Sequence, residues 1–163
     1  MEVNNYFDKR PLCRAICESS NFEMLKWVES KFKIEENHYI GGAIYARSLP
    51  FLKYFVEERL YKLDKEYFWD IAQTHDEKLL KYYFSRERFE IEDVKKEFDR
   101  EYSRAYHILS RYSITLNIIC DNIENLDLFL YRNYFSNANI PTNCYNRTHF
   151  YRIRQMLIKR LLF

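Results

Sequence analysis

Hydrophobic and polar positions repeat with a fixed period over the first ninety residues. Three segments align, each a small-aliphatic pair followed by a leucine-lysine-aromatic triplet: Ala15-Ile16 with Leu25-Lys26-Trp27, Ala43-Ile44 with Leu52-Lys53-Tyr54, and Ile71-Ala72 with Leu80-Lys81-Tyr82. The pairs begin at positions 15, 43 and 71, and the triplets begin at positions 25, 52 and 80. Because a fixed spacing of this size is the signature of repeat architectures, we predict an internal repeat of about 28 residues.

The segments between these units share a second pattern of aromatic, charged, aliphatic and acidic residues. It occurs as Phe32-Lys33-Ile34-Glu35, Tyr61-Lys62-Leu63-Asp64 and Phe89-Glu90-Ile91-Glu92. The alternation predicts a short extended connector with one face buried. We expect the acid at its end to lie at the start of the next helix, where it favours the helix dipole and accepts amide protons.

Within each unit the spacing predicts a helix, a tight turn and a second helix. In the second unit, Leu52, Phe55 and Val56 follow the three- and four-residue spacing of one helical face. Pro50 suits the first turn of that helix. We expect the small residues of the first helices to allow close approach of the paired helices: Ala15, Ala43 and Ala72.

After Asp93 the repeat loses its phase, and a longer helix is predicted over residues 93–112. A fourth unit follows, because Ile118-Ile119-Cys120-Asp121 is similar to Ile16-Cys17-Glu18, and its predicted connector is Ala138-Asn139-Ile140-Pro141. The prediction is a single all-α domain of helix-turn-helix repeats over residues 1–163. Its units lie near residues 10–36, 37–64, 65–92 and 113–142, and a closing helix spans 148–163.

Composition agrees with an all-helical domain. Glycine occurs only twice, as Gly41 and Gly42, and proline three times, whereas 47% of the residues are hydrophobic. Folds rich in tight turns or phosphate loops use many more glycines. The first 25 residues contain no secretory signal, and no run has the roughly 18 apolar residues of a membrane span. The four cysteines form no disulfide framework, so we expect a cytoplasmic setting.

The chain resembles ankyrin repeat proteins. Pro11-Leu12-Cys13-Arg14-Ala15 is similar to the Thr-Pro-Leu-His-x-Ala opening of that family, and Ala43 to Val56 is similar to its central stretch. The units are shorter than the roughly 33 residues of an ankyrin repeat, and the glycine of the mid-unit turn is replaced by Ser19, Arg47 and His75. The resemblance implies a small ankyrin-like solenoid.

The composition also leans to Tyr, Phe, Ile, Asn and Lys, which indicates an AT-rich genome. Short, divergent repeats in such a chain resemble the multigene ankyrin-like proteins of large DNA viruses. That resemblance implies a protein of the host cytoplasm that binds a host factor.

No constellation typical of catalysis, cofactor binding or metal binding is present in the sequence. Cys13 and Cys17 lie four residues apart on a predicted helix, but no suitably spaced partners complete a zinc site, so we interpret them as core residues. The histidines lie singly, with no nucleophile or acid at a fixed offset: His38, His75, His107 and His149. The sequence therefore predicts neither an enzyme nor a metal or cofactor protein.

Aromatic residues fall into two predicted groups. Trp27, Tyr54 and Tyr82 recur in the second helices and are interpreted as core between units. A second group lies near the connectors and first helices, which line the concave face of ankyrin-like stacks, and forms the predicted partner-binding face: Tyr39, Tyr61, Tyr67 and Trp69. Exposed aromatics on that face would be good hot spots.

Charge is unevenly distributed along the chain. Residues 1–93 have a balance of −3 and residues 94–163 a balance of +5, and no acid follows Asp127. The closing helix has an apolar stripe of Phe150, Ile153, Leu157 and Leu161. It also has a predicted basic patch: Arg147, Arg152, Arg154, Lys159 and Arg160. Three interpretations stay open, namely a terminal cap, a surface for nucleic acid or acidic lipid, and a docking helix for a protein.

The sequence thus favours a non-enzymatic protein-protein interaction module, a viral ankyrin-like adaptor or inhibitor of a host factor. The alternative is a nucleic-acid-binding or virion-structural protein that uses the basic C-terminal third.

Overall fold

The structure of the chain is a computed structural model that describes residues 9–100, 108–109, 113–136, 139, 141 and 144–163. Over these residues the chain forms ten α-helices, a π-helical segment and a short 3-10 turn, with no strand. The predicted all-α class is therefore confirmed. The chain divides into two compact units, Met1–Leu79 and Leu80–Phe163.

The N-terminal unit consists of short helices arranged as consecutive pairs. They are α1 (Lys9–Ser19), α2 (Phe22–Lys31), α3 (Glu36–Tyr45), α4 (Leu49–Lys53) with its π-helical continuation (Tyr54–Glu58), a 3-10 turn (Lys65–Tyr67), α5 (Phe68–Thr74) and the start of α6 (Glu77–Arg86). Helix α1 packs against α3, and α3 packs against α5. The first helices of successive pairs are therefore neighbours.

A tight turn with one left-handed residue joins the two helices of each pair. Ser20, Arg47 and His75 have φ angles of 54°, 52° and 55°, and their positions follow the period of the sequence repeat. Their amides donate to the carbonyls of Cys17, Ile44 and Ala72 at 3.3, 3.0 and 3.2 Å. The turns predicted at Arg47 and His75 are confirmed, whereas the first lies at Ser20, one residue after the predicted Ser19.

Side chains stabilise the first and third turns in the same way. The Ser19 hydroxyl donates to the Ile16 carbonyl at 2.7 Å, and Asn21 Oδ1 accepts the Met24 amide at 2.9 Å. In the third pair, the Thr74 hydroxyl donates to the Ile71 carbonyl at 2.7 Å and Asp76 accepts the Leu79 amide at 3.0 Å. These caps satisfy amides that have no partner within the helix.

The turns set the register of the buried positions and correct one sequence alignment. Counted from the left-handed residue, Ile16-Cys17 corresponds to Ala43-Ile44 and to Ile71-Ala72, and all six side chains are buried. Ala43 and Ala72 are buried as predicted, whereas Ala15 is exposed. The expected role of Ala15 in close helix approach is therefore wrong, because Ala15 lies one position outside the buried stripe.

Helices α1 and α3 approach each other closely at Gly42. A Cβ added there would lie 2.8 Å from both the carbonyl carbon and the Cβ of Cys13. Since carbon atoms normally pack about 3.5–4.0 Å apart, this position has no room for a side chain. Gly41 faces open space, with nothing within 4 Å of an added Cβ.

The connectors are extended, but only some of their acids cap the next helix. Asp64 accepts the Glu66 amide at 3.1 Å. Glu92, the acid of the third connector, lies in the first turn of the helix that begins at Ile91, and its neighbour Asp93 accepts the Glu90 amide at 3.0 Å. Glu35 precedes α3 without a capping hydrogen bond from its side chain. The expected location at the start of a helix is therefore confirmed for Asp64 and Glu35, whereas the expected hydrogen bond to the helix amides is confirmed at Asp64 and wrong at Glu35.

The C-terminal unit contains the rest of α6, then α7 (Ile91–Arg100), α8 (Ser113–Asn122), α9 (Leu126–Asn133) and α10 (Cys144–Leu162). Helix α10 begins before the predicted residue 148 and packs against α9. Its Phe150, Ile153 and Leu157 are fully buried, and the Phe150 ring lies 5.7 Å from that of Phe135, between ring centres. Leu161, predicted on the same stripe, is exposed.

Parts of two sequence predictions lie outside the described residues. The helix predicted over 93–112 is described as far as Arg100 and at residues 108–109. In the fourth connector, Ala138 and Ile140 lie outside the described residues. His107 also lies outside them.

Candidate functional site

Two of the four aromatics predicted for the partner-binding face lie in the core. Tyr39 and Trp69 are each only 2% exposed. The Tyr39 ring packs 5.1 Å from that of Phe55, and the Trp69 ring 4.6 Å from that of Phe68, between ring centres. The expected exposure of Tyr39 and Trp69 is therefore wrong, because both rings are used to pack the helices of the N-terminal unit.

Tyr61 and Tyr67 are half-buried. The Tyr61 ring stacks on Phe55 at 5.9 Å, and the Arg59 guanidinium lies 5.9 Å from its centre. Arg59 also pairs with the half-buried Glu29 carboxylate at 3.3 Å. Burial raises the pKa of the Tyr67 hydroxyl to about 12, so it stays protonated at neutral pH. These contacts stabilise the N-terminal unit, and partner binding by Tyr61 and Tyr67 stays a prediction.

Trp27, predicted as core between units, is instead the more exposed of the two tryptophans, with 57% of its surface accessible. Leu25 and Val28 form the buried stripe of α2. Because Trp27 follows Leu25 by two residues, it is rotated by about 200° from Leu25 around a helix of 3.6 residues per turn. Tyr82 is only 9% exposed and Tyr54 is half-buried, so the core prediction is confirmed for Tyr82 and wrong for Trp27.

Trp27 borders an apolar cleft of about 410 Å³ between the start of α1, α2 and the first connector. Met24 and Phe32, each 41% exposed, also present accessible apolar side chains to it. The Trp27 and Phe32 rings meet edge to face with centres 6.4 Å apart. The remaining lining residues are Lys9, Leu12, Val28 and Ile34. We call this feature the Trp27 cleft.

Local backbone geometry arranges the residues that line the Trp27 cleft. Met24 and Trp27 are three residues apart and therefore share one face of α2. The chain leaves α2 at Phe32, whose amide still donates to the Val28 carbonyl at 2.9 Å while its own φ and ψ are extended. Lys9 Nζ donates to the Lys33 carbonyl at 2.7 Å, which ties the start of α1 to the connector.

Equivalent positions in later helix pairs are less exposed. Met24 corresponds to Phe51 and Leu79, which are fully buried, and Trp27 corresponds to Tyr54 and Tyr82. In the connector pattern Phe32 corresponds to Tyr61, which is half-buried, and to Phe89, which is 7% exposed. The first pair therefore exposes apolar side chains at positions that are half-buried or buried in the later pairs.

The charges around the Trp27 cleft are mainly basic. Lys9 belongs to its lining, and the exposed Lys31 and Lys33 flank Phe32 along the chain. Among the described residues, no carboxylate lines the cleft. Glu23, next to Met24, pairs with Lys26 at 3.1 Å. The cleft thus combines an apolar floor with a basic edge.

The predicted basic patch on α10 is only partly available. Arg160 donates to Asp121 at 2.8 Å and to Asn117 at 3.3 Å, and lies 3.7 Å from an Asp127 oxygen. Arg160 therefore fastens α10 to α8 and α9, which supports the cap interpretation of the closing helix. Arg154 is half-buried.

The other basic residues of the patch are exposed. Arg152 and Lys159 are seven residues apart, so they lie along nearly the same line of α10. Arg147 is also exposed, and its Nε donates to the Pro141 carbonyl at 2.8 Å. The patch therefore reduces to two cations on one line and a third held by a backbone carbonyl.

The described thiols are buried and protonated. Burial raises the pKa of Cys13 to about 11 and the pKa values of Cys17 and Cys120 to about 12. Nucleophilic and metal-binding cysteines need the thiolate form, which these three do not adopt near neutral pH. In the described part of the chain no group of three or more His, Cys, Asp or Glu residues is arranged to hold a metal ion.

The described helices contain none that is long and apolar enough to cross a membrane. Comparison with known proteins finds no matching family model, no similar curated protein and no similar solved structure.

Proposed function

We propose that this protein is a non-enzymatic interaction module that binds another protein through the Trp27 cleft. The observation that carries the proposal is the exposure of Trp27 together with Met24 and Phe32 around one apolar cleft. Contiguous exposed apolar side chains with a polar edge are typical of binding surfaces, and tryptophan is among the residues most enriched in binding hot spots.

A protein partner fits this site better than a small molecule. The accessible side chains are two large aromatics and a methionine, and methionine adapts to varied apolar partners. Within the described residues, Lys9 is the only charged group in the lining, and its ammonium is already bonded to the Lys33 carbonyl. Small-molecule sites instead place several polar groups so that they converge on the ligand.

The ankyrin-like character of the chain is part of the same proposal. Its support is the motif resemblance at positions 11–15 and 43–56, together with turns of one geometry at Ser20, Arg47 and His75. We accordingly propose an adaptor or inhibitor of a host factor, encoded by a large DNA virus and acting in the host cytoplasm. The biased composition supports the viral part.

The alternative is a nucleic-acid-binding or virion-structural protein that uses the basic C-terminal third. Its support is the exposure of Arg147, Arg152 and Lys159 together with the lack of acids after Asp127. It is weakened by Arg160, whose charge is matched by Asp121 and Asp127. We rank it second because few phosphate contacts give little affinity at physiological salt.

Affinity capture with matched variants tests the proposal. The full chain, Trp27→Ala and Tyr151→Ala are immobilised and exposed to nuclease-treated host-cell lysate. Tyr151 is the control, since its aromatic ring is also exposed but lies on α10. We expect a discrete protein that the full chain and the Tyr151→Ala variant retain and that Trp27→Ala loses. Truncating a hot spot costs about 2 kcal/mol or more, which is roughly thirtyfold in affinity.

Other outcomes contradict the proposal. Equal retention by the Trp27→Ala variant would place the binding surface elsewhere on the molecule. If mainly nucleic acid is recovered without nuclease, and the double variant Arg152→Glu/Lys159→Glu loses it, the alternative function replaces ours. Circular dichroism of each variant confirms that the fold is intact.

A further inference from the structure

The positions of Met24 and Trp27, which line the Trp27 cleft, form an interface in the second helix pair of the N-terminal unit. In the second helix pair, Phe51 and Tyr54 occupy the positions of Met24 and Trp27. The ring of Phe22, from the first pair, stacks on Phe51 with centres 4.2 Å apart and meets Tyr54 edge to face at 5.4 Å. These positions are therefore the ones that a preceding α-helix covers.

The same interface contains one ion pair at its edge. Glu29 lies seven residues after Phe22, so both project from the same side of α2, two turns apart. Its carboxylate pairs with Arg59, which directly follows the π-helical end of the second pair. The first helix pair thus contacts the second with an aromatic residue, Phe22, and with an acid seven residues later, Glu29.

The Trp27 cleft and the end of α2 present the same kinds of side chain as this interface. Met24 and Trp27 stand where Phe51 and Tyr54 stand in the second pair, and Lys31 is the last residue of α2. Lys31 follows Trp27 by four residues and therefore lies on the same side of the helix. Arg59 follows Tyr54 by five residues, but the turn between them is π-helical, with the Arg59 amide bonded to the Tyr54 carbonyl at 3.0 Å, so it completes one turn as Lys31 does after Trp27. Lys31 therefore has the charge and the place one turn along the helix that Arg59 has in the second pair.

We infer that the Trp27 cleft binds an α-helix of a partner protein that presents an aromatic side chain to Met24 and Trp27 and, seven residues later, an acid to Lys31. This inference rests on the proposed function and specifies the chemistry of the partner. It is a case of helix-in-groove recognition, in which anchors at helical spacing fill an apolar groove.

A second copy of the chain does not supply this helix with the same residues. Phe22 already stacks on Phe51 of its own chain, and Glu29 already pairs with Arg59. Presenting them to another copy would require the N-terminal unit to open. Phe22 and Glu29 of a second copy are therefore not the occupant that we propose, and we assign the helix to a different protein.

Selection from a helical display library tests the inference. The probe is a library of stable single helices, each about five turns long, in which the positions along one face are randomised. The library is selected against the full chain, against Trp27→Ala and against Lys31→Glu. We expect the clones enriched on the full chain to carry an aromatic followed seven residues later by Asp or Glu. Binding of those clones should fall roughly tenfold or more on Trp27→Ala.

Lys31→Glu provides a test of the ion pair that does not depend on stability. Selection on this variant should favour Lys or Arg at the seventh position while keeping the aromatic. For the original clones the charge reversal should cost a fewfold loss of affinity, as expected of an exposed ion pair.

The outcomes separate the inference from the proposed function. Clones that depend on Trp27 but lack the aromatic-acid spacing, or show no charge exchange with Lys31→Glu, overturn the inference and leave the cleft as a binding site. Failure to enrich any clone that depends on Trp27 also overturns the inference, whereas the proposed function is overturned only if the Trp27→Ala variant retains the captured protein.

Discussion

The two adjacent glycines of α3 predict opposite effects of the same substitution. Gly42→Ala adds a methyl group that meets the Cys13 backbone carbon at 2.8 Å. Restoring a normal carbon contact of about 3.5 Å or more requires α1 to move by roughly 0.7 Å. Gly41→Ala adds the same methyl group where nothing lies within 4 Å.

The magnitudes follow from two competing effects. Replacing glycine by alanine inside a helix stabilises a protein by about 1 kcal/mol. Overpacking a dense core costs about 1–3 kcal/mol, and the upper value applies at Gly42 because the contacted atom is backbone. We therefore expect Gly42→Ala to lower the free energy of unfolding by about 2 kcal/mol and Gly41→Ala to raise it by about 1 kcal/mol or slightly less.

Urea denaturation followed by tryptophan fluorescence measures both changes in the relevant unit. The chain has two tryptophans, Trp27 and Trp69, and both lie in the N-terminal unit. For m-values of about 1–3 kcal/mol/M, the midpoint for Gly42→Ala should fall by roughly 1 M. The reasoning is refuted if Gly42→Ala is as stable as the natural chain, or if Gly41→Ala destabilises equally.

Three further predictions follow from burial and charge. Trp69→Ala should lower the free energy of unfolding by about 3–5 kcal/mol, whereas Trp27→Ala should change it by less than about 1 kcal/mol. Urea titration followed by circular dichroism measures both variants, and an equal loss of stability in the two would contradict the exposure of Trp27. Arg160→Met should reduce the protection of α10 amides from hydrogen exchange by about 1–2 kcal/mol, allowing for solvent screening of its carboxylate partners, whereas Arg152→Met should leave this protection unchanged. If hydrogen exchange is similar in both variants, Arg160 does not fasten α10 to α8 and α9. The Cys17 pKa is raised to about 12 from 9.0. Its contribution to stability is therefore complete below pH 9 and is lost as the pH rises from 9 towards 12, because the unfolded thiol ionises first. The free energy of unfolding measured between pH 9 and pH 12 should fall, and a rise in that range would contradict the prediction.

Much of the fold could be predicted from the sequence because turns and core stripes leave local signals. The scarcity of glycine and the helical spacing indicated the all-α class, and the positions of Arg47 and His75 marked two turns. Phe150, Ile153 and Leu157 are buried as their spacing predicts. Local periodicity is sufficient for these features.

The errors arose where a shift of one residue changes the side of a helix. Aligning Ala15 with Ala43 placed Ala15 in the core, whereas the turn at Ser20 aligns Ile16 with Ala43. A shift of one residue rotates a helical position by about 100°. The close approach at Gly42 depends on distances between helices, which no local pattern contains.

The site was the hardest part to predict because repeat equivalence hides exposure. The alignment of Trp27 with Tyr54 and Tyr82 predicts a core position for it. The first helix pair, however, has no preceding pair among the described residues to cover it. A signal existed in α2, since Met24 and Trp27 lie off the stripe formed by Leu25 and Val28. Large apolar residues that lie off the core stripe of the first unit thus indicate an exposed apolar surface.

Site-specific photo-crosslinking tests the central claim most directly. Benzoylphenylalanine replaces Trp27 in one protein and Tyr151, an exposed aromatic of α10, in another, and both are irradiated in host-cell lysate. We predict a discrete protein adduct at position 27 that is absent at position 151. No adduct at position 27, or the same adducts at both positions, would contradict the assignment of the Trp27 cleft as the binding surface.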